Sequence, residues 1–482
     1  MPEFSNRRRY LILTICCLSL FLVGIDNTAV NVALPAIQRD LHAPVSGLQW
    51  TIDAYALTMA SLLILAGSLG DRFGRRRVFM TGLSVFTVGS VLCAVAPNLG
   101  ALVGSRAAQG VGGAMMNPVA MSIITNVFTD ARDRAKAIGV WAAAFGVSMA
   151  LGPVVGGLLL DATSWRAIFW LNVPVGVAAV TLTRIFVPES KAPTARRFDP
   201  VGQVLGIVFL TGVTYAIIEA PHAGWLSART LGVAAVALAA AVGFVRYELR
   251  REQPLIDPRF FGSVPFAGAT LMAISGFVAL SGFLFMNTLY LQEALGYSAL
   301  KAGLLTLPIA LTSVLAGPRS GRYVAAHGPR VPLLLAGVLF SLSALMLTRL
   351  SADTPVALLL AAYAVLGLGF GALNPPITNT AVSGMPRAQA GVAAAVASTS
   401  RQVGQTLGVA VIGSVVVARA TGPARTGLPA ASHAGWWILV GCGLAVLVLG
   451  MLTTGTRAVA TAARTAARLT EPTTETGIPA LR

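Results

Sequence analysis

The chain has 482 residues, 55% hydrophobic and only 11% charged, with a mean hydropathy of +0.75 and a formal net charge of +17. So little charge excludes a soluble domain, in which about a quarter of the residues are charged. Apolar stretches of helix-spanning length recur from end to end, so the fold class is an all-α polytopic membrane protein. A transmembrane β-barrel would instead alternate in short segments.

Turn and charge signals predict fourteen spans, beginning near residues 10, 48, 78, 101, 136, 166, 200, 228, 265, 303, 331, 355, 393 and 434. The first, "RRRYLILTICCLSLFLVGI", imitates a signal peptide but lacks a small-x-small cleavage site and reads as an uncleaved span. It continues into Asp26, a carboxylate ~24 Å along the axis from the span's start, with Asn27 and Asn31 adding a polar stripe. Asp53 lies about five residues into span 2, at a comparable depth.

The turn after span 2 reads "GSLGDRFGRRR". Gly70 and Gly74 permit a tight turn there. Asp71 is placed to pair with Arg72, Arg75 or a basic residue elsewhere, Asp130 and Arg132 being further candidates at the end of span 4. The alternative is plain topological anchoring by the arginines. In span 4, Arg106, Gln109, Gly110, Gly113 and Asn117 share one face at three-to-four spacing. An Arg at that depth faces a cavity or a partner, or else snorkels to the interface. In span 5, Gly152 and Gly156 form a G-x-x-x-G beside Pro153 and Gly157, a pattern of close helix packing.

Residues 188–199 read as a linker and 200–250 as two further spans. Glu219 falls near the end of span 7, either functional or an exposed helix-end carboxylate. Phe277, Phe283, Phe285 and Met286 of span 9 line an apolar pocket or belong to core or lipid-facing surface. In span 13, Arg401 and Gln405 share a face near mid-membrane. The polar tail, 457–482, reads as disordered beyond its first turns. Cys16, Cys17, Cys93 and Cys442 form neither a disulfide framework nor a metal spacing. His42, His222, His327 and His433 all fall in predicted loops. No metal, cofactor or catalytic constellation is expected, since H-E-x-x-H, G-x-S-x-G and Walker patterns are absent from the sequence.

"GVGGAMMNP" and "GLGFGALNP" repeat at a constant offset of 257 residues: Gly110 with Gly367, Gly112 with Gly369, Asn117 with Asn374, Pro118 with Pro375. A second echo links residues 67–77 to 317–330 in the same order. Spans 1–6 thus correspond to spans 9–14, with spans 7–8 inserted. The division is an N-terminal half at 1–187, the linker, the insertion at 200–250, a C-terminal half at 251–456 and the tail. Parallel six-helix repeats with a site between them are a transporter architecture. Of the 35 Arg and Lys, 26 fall on the side of the N-terminus, 7 on the other and 2 within spans. By the positive-inside rule the topology is N-in and C-in. The charge faces anionic lipid rather than nucleic acid.

Several of these stretches together resemble the major facilitator superfamily. "GSLGDRFGRRRVF" resembles its loop 2–3 signature, with Gly67, Gly70, Asp71, Arg72 and Gly74, and "RAAQGVGGA" its arginine motif. "GVSMALGPVVGG", from Gly146 to Gly157, resembles its antiporter motif. "GIDNTAVNVALPAI" and "SWRAIFWLNVPVG" are similar to the fourteen-span drug:proton antiporter branch, which includes antibiotic-resistance exporters of antibiotic-producing bacteria. The resemblance implies a bacterial plasma-membrane antiporter, expected as a monomer, that expels small hydrophobic drugs or antibiotics in exchange for protons. Asp26, Asp53, Arg106 and Glu219 are then the coupling candidates, and loop 2–3 is a conformational latch. Asn27, Asn31, Gln109, Asn117, Asn374, Arg401 and Gln405 are cavity candidates. A symporter or facilitator for another solute is the alternative.

Overall fold

The computed structural model describes residues 5–192, 198–251, 253–386, 389–420 and 422–470. The chain is helical throughout these segments. α1 (Asn6–Leu41), α2 (Val45–Phe73), α3 (Arg75–Ala94), α4 (Leu99–Val127), α5 (Ala131–Ala162) and α6 (Arg166–Phe186) come first. α7 (Pro200–Ala223) and α8 (Ala228–Glu248) follow as a hairpin. Then come α9 (Val264–Leu289), α10 (Ala299–Leu305), α11 (Leu307–His327), α12 (Arg330–Met346), α13 (Val356–Val382), α14 (Ala390–Arg419), α15 (Ala424–Thr453) and α16 (Thr456–Thr470).

Local chemistry sets many of these boundaries. Ser5, Asn98, Asp130, Asp199, Ser227, Ser263 and Ser298 each cap a helix through a side-chain oxygen that accepts from a first-turn amide, satisfying donors that the helix leaves free. Pro308 has no amide hydrogen to bond back into α10, and the chain breaks there into α10 and α11.

Among the described residues, twelve helices are long and apolar enough to cross a membrane, α10 and α11 counting as one. The other two predicted spans correspond to α4, which carries Arg106, Gln109, Asn117 and Asn126, and to α12, which has 17 residues. The last predicted span starts ten residues early, at Ala424, because "GLPAASHAGWW" is helical. His433 is therefore inside α15, and His222 and His327 lie in the last turns of α7 and α11; only His42 sits beyond a helix end. Residues 456–470 form an amphipathic helix whose Ala458, Ala462 and Thr465 are buried while its arginines face outward. Linker residues 193–197 and tail residues 471–482 lie outside the described segments.

The internal repeat appears in the packing. α4 packs on α2 and α3, as α13 packs on α11 and α12. α1 packs on α5 and α6, as α9 packs on α14 and α15. The repeated glycines explain the close approaches. A Cβ on Gly110 would sit 2.7 Å from the Tyr55 carbonyl oxygen of α2, and Gly367 abuts the Ile309 carbonyl of α11 in the same way. Gly112 meets α3 at Phe86, and Gly369 meets α12 at Leu339. Glycine faces let helices touch backbone to backbone.

Candidate functional site

α1, α3, α4 and α6 converge on Asp26. Its carboxylate is fully buried and lies 2.5 Å from Nη1 of Arg106 on α4, itself 1% exposed. Gln109 Nε2 donates to Asp26 Oδ1 at 2.9 Å, and Asn172 Nδ2 of α6 donates to the same oxygen at 3.0 Å. Arg106 Nε donates to the Thr51 carbonyl at 3.0 Å, and Nη1 donates to Gln109 Oε1 at 2.6 Å. Gln109 also donates to Ser90 Oγ of α3 at 2.8 Å. The Tyr55 ring lies 4.3 Å from the guanidinium carbon, a cation–π contact. Charge, hydrogen bonds and an aromatic face thus enclose Arg106, and the snorkelling alternative is excluded.

The sequence placed Asp26, Asp53 and Arg106 at one level; the structure joins Asp26 to Arg106 and to Gln109 of the same α4 face, and leaves Asp53 out. Sequence reasoning missed Asn172, Ser90 and the Thr51 carbonyl. The signal for Asn172 was its lone amide inside "IFWLNVPVG", a polar group with no reason to be in an apolar run unless something pairs with it.

The repeat gives this cluster a counterpart of different chemistry. An offset of 257 carries Asp26 onto Phe283 and Arg106 onto Tyr363. Those two residues also meet, with ring centroids 5.3 Å apart at 84°. Tyr363 donates its hydroxyl hydrogen to Asn287. One half holds an ion pair where the other holds an aromatic pair. Phe277, Phe283, Phe285 and Met286 are accordingly buried core.

Asp53 stands apart. It is fully buried on α2, and neither carboxylate oxygen has a hydrogen-bond partner among the described residues. One turn away, Gln49 Nε2 donates to the carbonyls of Val409 and Ala410 on α14, at 3.2 and 2.8 Å. Asp53 is therefore near a joint between the repeats and does not pair with Arg106. Glu219 is half-buried on α7 and accepts from Trp50 Nε1 at 3.1 Å, so it is not a free helix-end group.

The repeats meet along α2 and α14, and α5 packs on α10 and α11. Gln292 Nε2 donates to the Val32 carbonyl at 2.8 Å, and the Leu300 amide donates to Asp161 Oδ2 at 3.1 Å. A Cβ on Gly157 would lie 2.6 Å from the Ala299 carbonyl oxygen, and Gly303 abuts the Pro153 carbonyl reciprocally. A Cβ on Gly146 would lie 3.0 Å from the Val314 side chain of α11. Gly152 and Gly156 face α1, at Thr28 and Ala29. The G-x-x-x-G thus packs within its own half, and its neighbours Gly146 and Gly157 make the cross-repeat contacts. Beneath this joint an apolar cavity of about 30 Å³ is lined by Thr28, Met149, Pro153, Leu280, Leu284, Ile309 and Phe370. It is far smaller than a drug-sized site.

Of the polar cavity candidates, Asn27 and Asn31 are buried on α1, the Asn31 amide donating to the Asn27 carbonyl at 2.8 Å. Asn117, Asn374, Arg401 and Gln405 are half-buried.

In the turn after α2, Asp71 pairs with Arg75 at 2.9 Å. Arg75 and Arg76 amides bond to the Ser190 carbonyl and Glu189 Oε1 of the segment after α6. Gly74 has φ +111°, which favours glycine, whereas Gly70 is helical and abuts Val119 of α4. Asp130 caps α5 by accepting from the amides of Arg132 and Asp133. Exposed Arg72 lies over the Phe73 ring.

Residues 16–409 match the family model for the Major Facilitator Superfamily. The chain is 37% identical over 413 residues to multidrug resistance protein Stp of Mycobacterium tuberculosis, covering 86% of this chain and 77% of that one. It is 37% identical over 411 residues to multidrug efflux pump LfrA of Mycolicibacterium smegmatis, covering 85% and 81%. It is also 37% identical over 406 residues to the tetracenomycin C resistance and export protein of Streptomyces glaucescens, covering 83% and 74%. Among solved structures, a bacterial homologue of the human lysosomal transporter Spinster superposes with a TM-score of 0.63 at 18% identity, covering 96% of this chain and 99% of that one. The chain is a multi-pass membrane protein and belongs to the Major Facilitator Superfamily.

Proposed function

We propose that this protein is a proton-coupled antiporter that exports small hydrophobic drugs or antibiotics across the bacterial plasma membrane by alternating access. The observation that carries the coupling is the combination of a sealed Asp26–Arg106 centre with a second buried carboxylate, Asp53, that has no hydrogen-bond partner among the described residues. An isolated ionised carboxylate in such a place costs several kcal/mol, so the packing around Asp53 accommodates the neutral acid. A proton taken up at Asp53 permits α2 and α14 to close. Each proton entering down the membrane potential supplies about 2.3 kcal/mol per 100 mV. Export of drugs is supported by the names of the three relatives. In everted membrane vesicles with an acidic lumen, the protein is expected to accumulate ethidium, and nigericin to abolish the accumulation. An importer would show no energised uptake, and that result would overturn the reading.

The topology belongs to the same proposal: fourteen spans, both termini cytoplasmic, two six-helix halves at 1–187 and 251–456 and an inserted hairpin at 200–250. The joint at Gly157 and Ala299 is then external, and the described arrangement is closed to the outside. A cysteine placed in 188–192 is expected to resist a membrane-impermeant maleimide in intact cells. One placed at 422 or 423, between α14 and α15, is expected to react. The reverse pattern overturns the map.

The turn carrying Gly67, Gly70, Asp71, Arg72 and Gly74 acts as a latch on the cytoplasmic side. Asp71→Asn is expected to slow turnover about tenfold, the loss of one charge-assisted bond, while ethidium binding at equilibrium stays within about twofold of wild type. Loss of binding in the folded variant would place Asp71 in the cavity instead.

A further inference from the structure

Gln49 is fully buried on α2, and its side chain crosses to α14. Its Nε2 makes two bonds there, to the Val409 and Ala410 carbonyls at 3.2 and 2.8 Å. The side chain fills a notch, since a Cβ on Gly413 would sit 2.5 Å from its Cδ. Gln49 Oε1 and both oxygens of Asp53 are buried without a hydrogen-bond partner among the described residues. Gln49 and Asp53 are four residues apart, the spacing at which a Gln amide and a carboxylate bond along one helix. The amide thus has two sets of acceptors within its helical reach, and in the described arrangement the α14 carbonyls hold it.

The repeat sets this pair apart. The offset of 257 carries Gln49 onto Thr306 and Asp53 onto Ala310, and carries Val409, Ala410 and Gly413 back onto Gly152, Pro153 and Gly156. In that equivalent joint the Pro153 carbonyl abuts Gly303, and the Thr306 hydroxyl donates to the Gly303 carbonyl of its own segment at 2.7 Å. The amide and the acid occur together in one joint and are both replaced in the other.

The other charged and titratable groups on α2 and the helices packed against this end of it are engaged elsewhere or exposed. Asp26 and Asp40 of α1 pair with Arg106 and Arg166. The Tyr55 ring meets Arg106, and Cys93 of α3 faces Gln109. Glu219 of α7 accepts from Trp50, and Tyr215 meets Arg229. On α14, Arg401 donates to Thr378 of α13. Arg39, His42, His222 and Arg419 are exposed near helix ends.

We propose that Gln49 is a positioning residue that reads the charge of Asp53 and sets the α2–α14 joint by it. With Asp53 neutral, the amide stays on Val409 and Ala410 and the joint is closed. With Asp53 ionised, the amide turns along α2 to the carboxylate, because a bond to a charged acceptor is stronger than one to a neutral carbonyl, and α14 is released. A proton returning to Asp53 frees the amide to reseat in the Gly413 notch. This rests on the coupling reading of Asp53 and deepens it by naming the group through which the proton moves the helices.

The test measures the separation of spin labels on Pro44→Cys and Arg419→Cys, at the ends of α2 and α14 beside this joint, in purified protein whose four native cysteines are replaced by alanine. The ratio of long to short separations is read in acidic and in alkaline buffer, and the change between the two is the swing. Wild type is expected to lengthen in alkali, and Asp53→Asn to stay short in both buffers. Gln49→Met keeps the side-chain length, and Gln49→Thr matches the residue that the repeat carries at 306. Each should reduce the swing about tenfold, the effect of one hydrogen bond to a charged group. Gly413→Ala displaces the amide from its notch but leaves it free to meet Asp53. It should lengthen the separation in both buffers and keep the swing. A plain tie between α2 and α14 would loosen by the same factor in both buffers. A wild-type swing in either folded Gln49 variant therefore overturns the proposal and leaves Asp53 in coupling. So does a Gly413→Ala variant as short as wild type in acid, whether or not the Gln49 variants fold. A swing that persists in Asp53→Asn, or none in wild type, overturns the coupling reading of Asp53 and this proposal with it.

Discussion

Asp26→Asn is expected to leave a protein that is hard to isolate in monodisperse form. The substitution removes the only charge that faces Arg106 in its cluster and leaves the guanidinium on the neutral oxygens of Thr51 and Gln109. Removing one partner of a buried pair costs about 3–5 kcal/mol. The double variant Asp26→Asn with Arg106→Gln removes both charges and should recover most of the thermal stability. It should still fail to accumulate ethidium. Size-exclusion profiles and melting temperatures of the two single variants and the double variant check this. A single Asp26→Asn variant of wild-type stability with wild-type uptake would show that the ion pair neither holds the half together nor takes part in coupling.

Asp53→Asn is expected to do the opposite. No hydrogen bond is lost with the carboxylate, because neither oxygen has a partner among the described residues. An amide is never charged there, so the variant should melt at or above the wild-type temperature. It should nevertheless lose gradient-driven accumulation by about a hundredfold or more, since each 1.4 kcal/mol of lost driving force is tenfold. Substrate-induced proton release from the purified variant is the deciding measurement. Release at the wild-type level would take Asp53 out of coupling.

The sequence showed where polar groups had to be explained, and less of how they are satisfied. Arg106 and Asp26 were legible because charge in an apolar run demands a partner. Depth alone did not say which acid pairs with Arg106. Asp53 has similar depth, yet it belongs to a different joint, because it sits one turn from Gln49 on the side of α2 that meets α14. Facing direction at that resolution depends on how long helices tilt and pack, which one-dimensional spacing does not contain. The repeat was legible from four glycine, asparagine and proline matches, since backbone contacts between helices allow few residue types. The aromatic pair Phe283–Tyr363 was not, because its correspondence to Asp26–Arg106 shares position but no residue type. The amphipathic α16 was overlooked since its apolar face is made largely of alanine, which carries little hydrophobic signal.

The reciprocal contact between Gly157 and Ala299 and between Gly303 and Pro153 is made by main chain on both sides. A barrier formed that way has no chemical preference. It shuts as a matter of fit between two backbones, whatever lies beneath it. On the export reading proposed above, a cavity that widens beneath it to admit cargo could be reshaped at Leu284, Ile309 or Phe370 while the seal stays intact. A pump built so can change its cargo without having to redesign its door.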